Sequence, residues 1–122
     1  MILADTSVWI DHLRSGNKEM REQLAQRQIV THPFIIAELA LGSLKDRTKT
    51  LALLDLLPQV RVARLSELRL MVEARRLYNL GFGLTDAHLI ASVLIDSPTL
   101  LWTRDKRLRQ VAETFRVHAG LP

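Results

Sequence analysis

The sequence predicts an α/β fold in which helices cover both faces of a parallel sheet. Short apolar runs alternate along the chain with segments of helical periodicity, the order typical of strand–helix–strand units. Runs such as MILA and LLWT are apolar at nearly every position, as expected of parallel strands that are buried on both faces. The predicted strands lie at residues 1–4, 28–31, 60–63, 99–103 and 115–118.

The helices between these strands are predicted from their periodicity and from the residues at their ends. Pro33 suits the first turn of one helix, Pro58 stops the next, and Ser66 is a candidate N-cap for a long helix. The pair Gly81 and Gly83 ends that long helix. The predicted helices span residues 7–13, 18–27, 34–44, 46–57, 66–80, 86–95 and 104–113.

Length and composition limit the protein class. The 122 residues predict one domain, residues 1–122, and the 48% hydrophobic and 25% charged content is ordinary for a globular protein. The absence of cysteine excludes disulfides, thiolate zinc sites and a Cys nucleophile. There is no apolar run long enough for a membrane span and no signal-peptide pattern at the start. We therefore expect a cytoplasmic protein without a membrane partner.

Four acidic residues stand out by their context. Asp5 directly follows the first predicted strand, and Asp105 follows the strand LLWT by two residues. Glu38 lies within the apolar helix FIIAELALG, and Asp86 opens the apolar helix DAHLIASVL. Each acid has an ordinary explanation when taken alone. Asp5 and Asp86 are suited to helix capping, and Glu38 to pairing with a distant Arg or Lys.

Taken together, the four acids indicate a cation site. Ligands collect at the carboxyl ends of the strands in open parallel sheets, where the loops after neighbouring strands share one crevice. Two like charges about 4 Å apart repel by about 4 kcal/mol at an effective dielectric constant near 20. Converging carboxylates therefore either take up protons or bind a cation. A site of oxygen ligands alone favours Mg²⁺ or Mn²⁺ over zinc, and such an ion can promote phosphodiester hydrolysis.

The distribution of charge fits a polyanionic substrate. The chain carries 17 Lys and Arg against 13 Asp and Glu, a net charge of +4. Setting the four candidate acids aside leaves nine acidic residues against the 17 basic ones. The predicted molecule thus has an acidic pocket within a basic surface, and phosphate contacts would dominate its affinity for nucleic acid.

The motifs ADTSVWIDHL, the Glu inside an apolar helix, DAHLIASVL and LLWTRDKRL occur in that order. This ordered set resembles a PIN domain, and more narrowly the VapC-type ribonuclease toxins of toxin–antitoxin pairs. The resemblance extends over nearly the whole chain. It implies a three-layer α/β/α sandwich around a parallel sheet of four to five strands in the order 3-2-1-4-5.

The resemblance also implies an activity, a cofactor and partners. The activity is Mg²⁺-dependent cleavage of RNA, with Mn²⁺ as a substitute, and the partners are a cognate antitoxin and a second copy in a homodimer. The residues matching the catalytic and metal-binding acids are Asp5, Glu38, Asp86 and Asp105. The residues matching the supporting hydroxyl positions are Thr6, Ser7 and Thr103.

One departure from the family pattern concerns the number of metal ions. Many relatives carry a further acid or amide just beyond the last Asp, whereas here Lys106 and Arg107 follow Asp105. We therefore expect one firmly bound Mg²⁺ and a second that arrives with substrate. Arg104, Lys106 and Arg107 are candidates for phosphate contact, and a solvated helix face is the alternative for them.

Two other functions fit parts of the sequence. A strand followed by Asp and Thr also resembles the haloacid-dehalogenase-like phosphatases, but those enzymes need a second Asp where this chain has Ser7. The other alternative is a non-catalytic binding module with the PIN-like fold. Asp11 and Asp55 are interpreted as the polar sides of amphipathic helices, and Arg75 and Arg76 as a basic rim or a solvated helix face.

Overall fold

The computed structural model describes residues 1–122 and contains three strands and seven helices. The strands are β1 (Ile2–Ala4), β2 (Ile29–Val30) and β3 (Leu100–Trp102). The helices are α1 (Thr6–Ser15), α2 (Lys18–Ala25), α3 (Pro33–Leu41), α4 (Arg47–Asp55), α5 (Leu65–Arg75), α6 (Leu84–Ile95) and α7 (Lys106–Thr114). None of the helices combines the length and the apolar character that a membrane span requires.

The sheet is parallel, and β1 is its central strand in the order β2-β1-β3. The run MILA forms β1 because both of its faces are covered, and Leu3 and Ala4 are fully buried. The chain crosses the sheet in one direction from β1 to β2 and in the opposite direction from β2 to β3. Right-handed crossovers then place the connecting helices on opposite faces. The prediction of an α/β fold with a parallel sheet is confirmed.

The prediction of four to five strands is wrong. Residues 60–63 and 115–118 are not strands. Single parallel bridges join the sheet to Gln59, which directly precedes the first segment, through Thr31, and to His118, in the second segment, through Leu101. These bridges lie on the two outer sides of the sheet, so the segments keep the spatial order 3-2-1-4-5 without extending it. The backbone N–H of Arg61 donates to the Asp96 carboxylate instead of to a neighbouring strand.

Residues 115–118 do not form a strand for a different reason. Arg116 has a left-handed backbone with φ of 57°, a conformation that interrupts a strand. The backbone N–H of Val117 donates to Ala112 in the preceding helix, so only a short stretch can pair with β3. Both outer segments therefore make contacts outside the sheet, Arg61 with Asp96 and Val117 with Ala112, and do not extend it.

The start of α5 also differs from the prediction. Ser66 lies inside the helix, and Arg64 occupies the N-cap position with its backbone N–H donating to Glu67. The helix ends at Arg75 instead of continuing to residue 80, because Arg76 adopts a left-handed conformation with φ of 54°. The segment from Arg76 to Gly83 is therefore a long connection into α6.

Candidate active site

Asp5 lies at the carboxyl end of β1 and is 5% exposed. Its Oδ1 accepts hydrogen bonds from Ser7 Oγ at 2.5 Å and from the backbone N–H of Val8 at 3.2 Å, so the side chain caps α1. Its Oδ2 accepts a hydrogen bond from Thr103 Oγ1. Burial raises the pKa of Asp5, although these hydrogen bonds act in the opposite direction. Asp5 is thus both a helix cap and a buried acid.

Ser7 and Thr103 connect Asp5 to the loop after β3. The backbone N–H of Arg104 donates to Ser7 Oγ at 3.0 Å, and that of Asp105 donates to Thr103 Oγ1 at 3.1 Å. Each hydroxyl accepts from this loop and donates to the Asp5 carboxylate. The loops after β1 and β3 are therefore held together by a short hydrogen-bonded network centred on Asp5.

Asp105 follows β3 and occupies the N-cap position of α7. Its Oδ1 accepts a hydrogen bond from the backbone N–H of Leu108 at 2.9 Å, and the residue is exposed. This bond satisfies one of the free N–H groups at the helix start. Since β1 and β3 are adjacent, with Ala4 opposite Trp102, Asp5 and Asp105 emerge from the same edge of the sheet.

Glu38 is the sixth residue of α3 and is exposed, contrary to the expectation that it lies among buried apolar side chains. Leu41, one of its helical neighbours, is 88% exposed. The apolar sequence around Glu38 therefore does not bury it. Glu38 Oε1 accepts a hydrogen bond from Thr6 Oγ1 at 2.8 Å, which ties α3 to the start of α1.

Asp86 is the third residue of α6 and is half-buried. Its pKa is raised to about 6, first by burial and then, in decreasing order, by the charges of Asp105, Asp5 and Glu38. No hydrogen bond lowers the pKa of Asp86. The structure thus brings the other three predicted acids within electrostatic influence of Asp86.

The carboxylates are close without forming a ready-made ligand set. No three His, Asp or Glu side chains stand near enough together to hold a metal ion as they are placed here. Asp5, Glu38 and Asp105 each have at least one oxygen turned towards a protein donor. The role of the four acids as metal ligands remains a prediction, whereas their presence on one side of the sheet is observed.

The PIN domain family model matches residues 2–114. The chain belongs to the PIN domain family. It is also 47% identical over 109 residues to the proteins named Ribonuclease VapC32 of Mycobacterium tuberculosis strains CDC 1551 / Oshkosh and ATCC 25618 / H37Rv. Each alignment covers 89% of this chain and 88% of the relative. These matches confirm the resemblance that the motifs indicated and give no support to the phosphatase alternative.

Arg104, a candidate for phosphate contact in this PIN domain, is held at the edge of the acidic site. Its Nη1 lies 2.9 Å from Asp11 Oδ2, and Asn17 Nδ2 donates to the same oxygen at 3.0 Å. Asp11 was predicted only as the polar side of a helix, and its link to Arg104 depends on a fold contact that the sequence does not signal. The pair leaves Arg104 partly exposed.

The other two candidates for phosphate contact differ from each other. Lys106 is exposed on the first turn of α7. Arg107 is also exposed, but its Nη1 donates to the Gly81 carbonyl at 3.1 Å. Arg107 therefore braces the connection that leads into α6, where Asp86 lies.

A buried histidine pair joins the two helices that carry Glu38 and Asp86. His32 caps α3, because its Nδ1 accepts from the backbone N–H of Phe34 at 3.0 Å. Its ring centroid lies 6.1 Å from that of His88 in α6, and both rings contact Phe34 edge-on. Burial, and to a smaller extent the neighbouring His88, lower the pKa of His32 to about 4. The sequence signal for this cap was a polar residue before Pro33 at a helix start.

Proposed function

We propose that the chain is an endoribonuclease that acts as the toxin of a toxin–antitoxin pair. The observation that carries this proposal is the 47% identity, over most of both chains, to proteins named Ribonuclease VapC32. The acidic edge of the sheet supports it, because the four acids of the motifs lie on the side where parallel sheets bind ligands. The basic remainder of the surface suits an RNA substrate.

We further propose that Asp5, Glu38, Asp86 and Asp105 hold a divalent cation, Mg²⁺ or in its place Mn²⁺. All four supply oxygen donors, which both ions prefer. The raised pKa of Asp86 supports the assignment, because its first cause is burial and its other causes are the three neighbouring acids. A cation would offset this repulsion and favour the ionised form.

The residues of the chain divide the remaining work. When bound, the cation supplies Lewis-acid activation of a water molecule and neutralises charge on the phosphodiester. Ser7 and Thr103 fix both oxygens of Asp5, and Thr6 orients Glu38. Asp86, whose carboxylate is ionised above about pH 6, has no competing hydrogen bond that lowers its pKa. Lys106 supplies positive charge beside Asp105, which supports one firmly bound cation and a second that arrives with RNA.

An antitoxin is the proposed protein partner, and a cleft beside Glu38 supports it. The cleft has a volume of about 490 Å³ and is lined by Ile10, Leu13 and Leu39 together with the charged residues Glu38, Arg14 and Lys45. A partner segment with apolar side chains and charged residues of both signs would match this lining. We also propose, on the family resemblance, a homodimer and a cytoplasmic location.

The test is cleavage of a structured RNA by the purified full-length chain in the presence of Mg²⁺. We expect cleavage that stops on addition of EDTA and that is lost in Asp5→Asn. Asp55→Asn is the matched control, because Asp55 is an exposed acid at the end of α4 and removes the same charge. Equal cleavage by Asp5→Asn and the parent would refute the catalytic assignment. The absence of both cleavage and Mg²⁺ binding in calorimetry would favour the non-catalytic binding module.

A further inference from the structure

A second basic feature lies between α5 and α7. A cleft of about 340 Å³ opens between the end of α5, the connection into α6 and one face of α7. We call it the arginine cleft, because three arginines contribute to its lining. The residues on which the argument depends are Arg75, Arg76, Arg107, Gln110, Thr114 and Phe115.

The positive charge of the arginine cleft is not neutralised within the protein. No acidic residue lines it, and Arg75, Arg76 and Arg107 form no ion pair. Elsewhere on the surface, arginines such as Arg61 and Arg109 pair with glutamates. Three like charges around one concavity repel one another and attract an anion.

Two of the arginines are held in place by neighbouring groups. The guanidinium carbon of Arg75 lies 5.4 Å from the centroid of the Phe115 ring, in a cation–π arrangement. Arg107 lies against the backbone of Gly81, whose φ is +81°, and a Cβ at that position would come within 2.5 Å of Arg107 Nη1. Gly81 thus permits both the turn and the close approach. Positioned donors lose less side-chain entropy on binding an anion than free ones.

The arginine cleft also lies next to the acidic site. Arg107, Gln110 and Thr114 fall on one face of α7, at spacings of three and four residues. The first of them is two residues beyond Asp105. From Arg107 to Thr114 the helix rises about 10 Å, so a strand of nucleic acid that leaves the acidic site can follow α7 into the cleft.

We propose that the arginine cleft binds backbone phosphates of the RNA strand next to the bond that is cut. This inference rests on the proposed function, because it names where the same substrate is anchored. Arginine fits the task, since its fork of N–H donors matches phosphate oxygens. The only aromatic ring in the lining, Phe115, already has Arg75 over it. The contact is therefore to phosphate and is independent of sequence.

The test measures binding apart from cleavage, with a fluorescently labelled single-stranded oligoribonucleotide and the full-length chain in EDTA. We expect Arg75→Gln/Arg76→Gln to weaken binding by about tenfold at low salt. The slope of log K against log salt concentration should become shallower by about 0.7 for each phosphate that the variant no longer binds. Unchanged affinity and unchanged slope would overturn the proposal.

The matched control is Arg21→Gln/Arg27→Gln on the other side of the molecule. It removes the same net charge, and Arg27 shares with Arg76 a left-handed backbone, with φ of 56° against 54°. If this control loses as much affinity for RNA as the cleft variant, the effect is due to net charge alone and the proposal is overturned. Gln110→Glu is a second variant, which adds an acid to the cleft and leaves the contacts of all three arginines intact. It should weaken binding in the same direction.

Two further outcomes separate the possible explanations. If the arginine substitutions weaken the binding of a nucleoside monophosphate but not that of the oligoribonucleotide, the cleft is a site for a free nucleotide and the proposal fails. If the parent binds RNA through these arginines but cuts none, the proposed activity fails and with it the placement next to a cleaved bond, while the phosphate contact of the arginine cleft stands. If the parent cleaves RNA but its RNA binding does not depend on these arginines, only the inference about the arginine cleft fails and the proposed activity remains.

Discussion

The acids at the strand ends and the acids on the helices are held in different ways. Asp5 and Asp105 follow neighbouring strands, and backbone N–H groups of the next helix donate to both. Asp86, on α6, has a pKa raised to about 6 by burial and by three other acids, with no hydrogen bond to offset them. The hydrogen bonds of the strand-end acids thus contribute to the fold and offset part of the burial that raises the pKa of Asp5, whereas ionised Asp86 destabilises the metal-free protein without such an offset. A bound cation would offset the destabilising effect of the ionised Asp86 carboxylate.

The largest expected effect comes from replacing one acid of each kind. Asp5→Asn and Asp86→Asn should each lower RNA cleavage at least about a hundredfold, because even outer partners of metal ligands account for about 10–100-fold. Their effects on metal-free stability at pH 7.5 should differ in sign. The raised pKa of Asp86 means that its ionised form costs stability above about pH 6, a cost that is absent below the usual value of 3.8.

Denaturant unfolding in EDTA measures this difference. Asp86→Asn should be as stable as the parent or more stable, because it removes the disfavoured charge. Asp5→Asn should lose about 1–2 kcal/mol, because its amide cannot accept from both Ser7 and Thr103. Equal destabilisation by the two variants would remove the distinction between the two kinds of acid.

The next effect in size is the response to the cation. A cation at about 100 times its Kd stabilises the form that binds it by about 2.7 kcal/mol, which corresponds to a rise of about 10 °C in Tm for a chain of this length. We expect Mg²⁺ to raise the Tm of the parent and of Asp55→Asn, and to raise that of Asp86→Asn much less. Thermal unfolding followed by circular dichroism tests this, and a Tm indifferent to Mg²⁺ and Mn²⁺ contradicts it.

A smaller effect is expected from removing a hydrogen bond that supports Asp5. Thr103→Val keeps the shape of the side chain and removes the hydroxyl that donates to Asp5 and accepts from Asp105. We expect a loss of about 1–2 kcal/mol in unfolding free energy and about tenfold or more in cleavage. Thr103→Ser should retain most of both. Full activity in Thr103→Val would show that the network does not position Asp5.

The smallest expected effect concerns the packing of the helices that carry Glu38 and Asp86. His32 is buried with a pKa lowered to about 4, so it stays neutral in the folded protein while the unfolded chain takes up a proton near pH 6.5. Its contribution to stability is present above about pH 6.5 and is lost as the pH falls towards 4. His32→Asn keeps a capping acceptor and should flatten this decline. Denaturant unfolding between pH 7 and pH 4 checks it, and an unchanged slope would contradict it.

The positions of Asp5 and Asp105 could be predicted because the ends of buried strands can be recognised in the sequence. An apolar run such as MILA predicts a buried strand, and a residue directly after it must lie at the carboxyl edge of the sheet. Two such runs then place Asp5 and Asp105 on one edge. The central order β2-β1-β3 agrees with the inner part of the order 3-2-1-4-5, which the family resemblance implied and which apolar content alone did not give.

The rest depended on contacts that no local pattern encodes. The outer segments fail to become strands because Asp96 takes the N–H of Arg61 and because Arg116 adopts a left-handed backbone. Glu38 is exposed, as is the apolar Leu41 beside it. The pairing of Asp11 with Arg104 joins two distant parts of the chain. For Arg61 and Arg104 a partner from a distant part of the chain decides the outcome, which no local pattern signals.

The hydrogen bond from Thr103 to Asp5 spans 98 positions along the chain. During synthesis, β1 therefore cannot pair with β3 until most of the chain has left the ribosome. The acidic edge of the sheet is completed only after that pairing. A product truncated before residue 100 lacks β3, Thr103 and Asp105 together. If the proposed site is the nuclease site, incomplete chains lack two of its residues while the ribosome still holds them, and this order of assembly would protect the cell that makes the toxin.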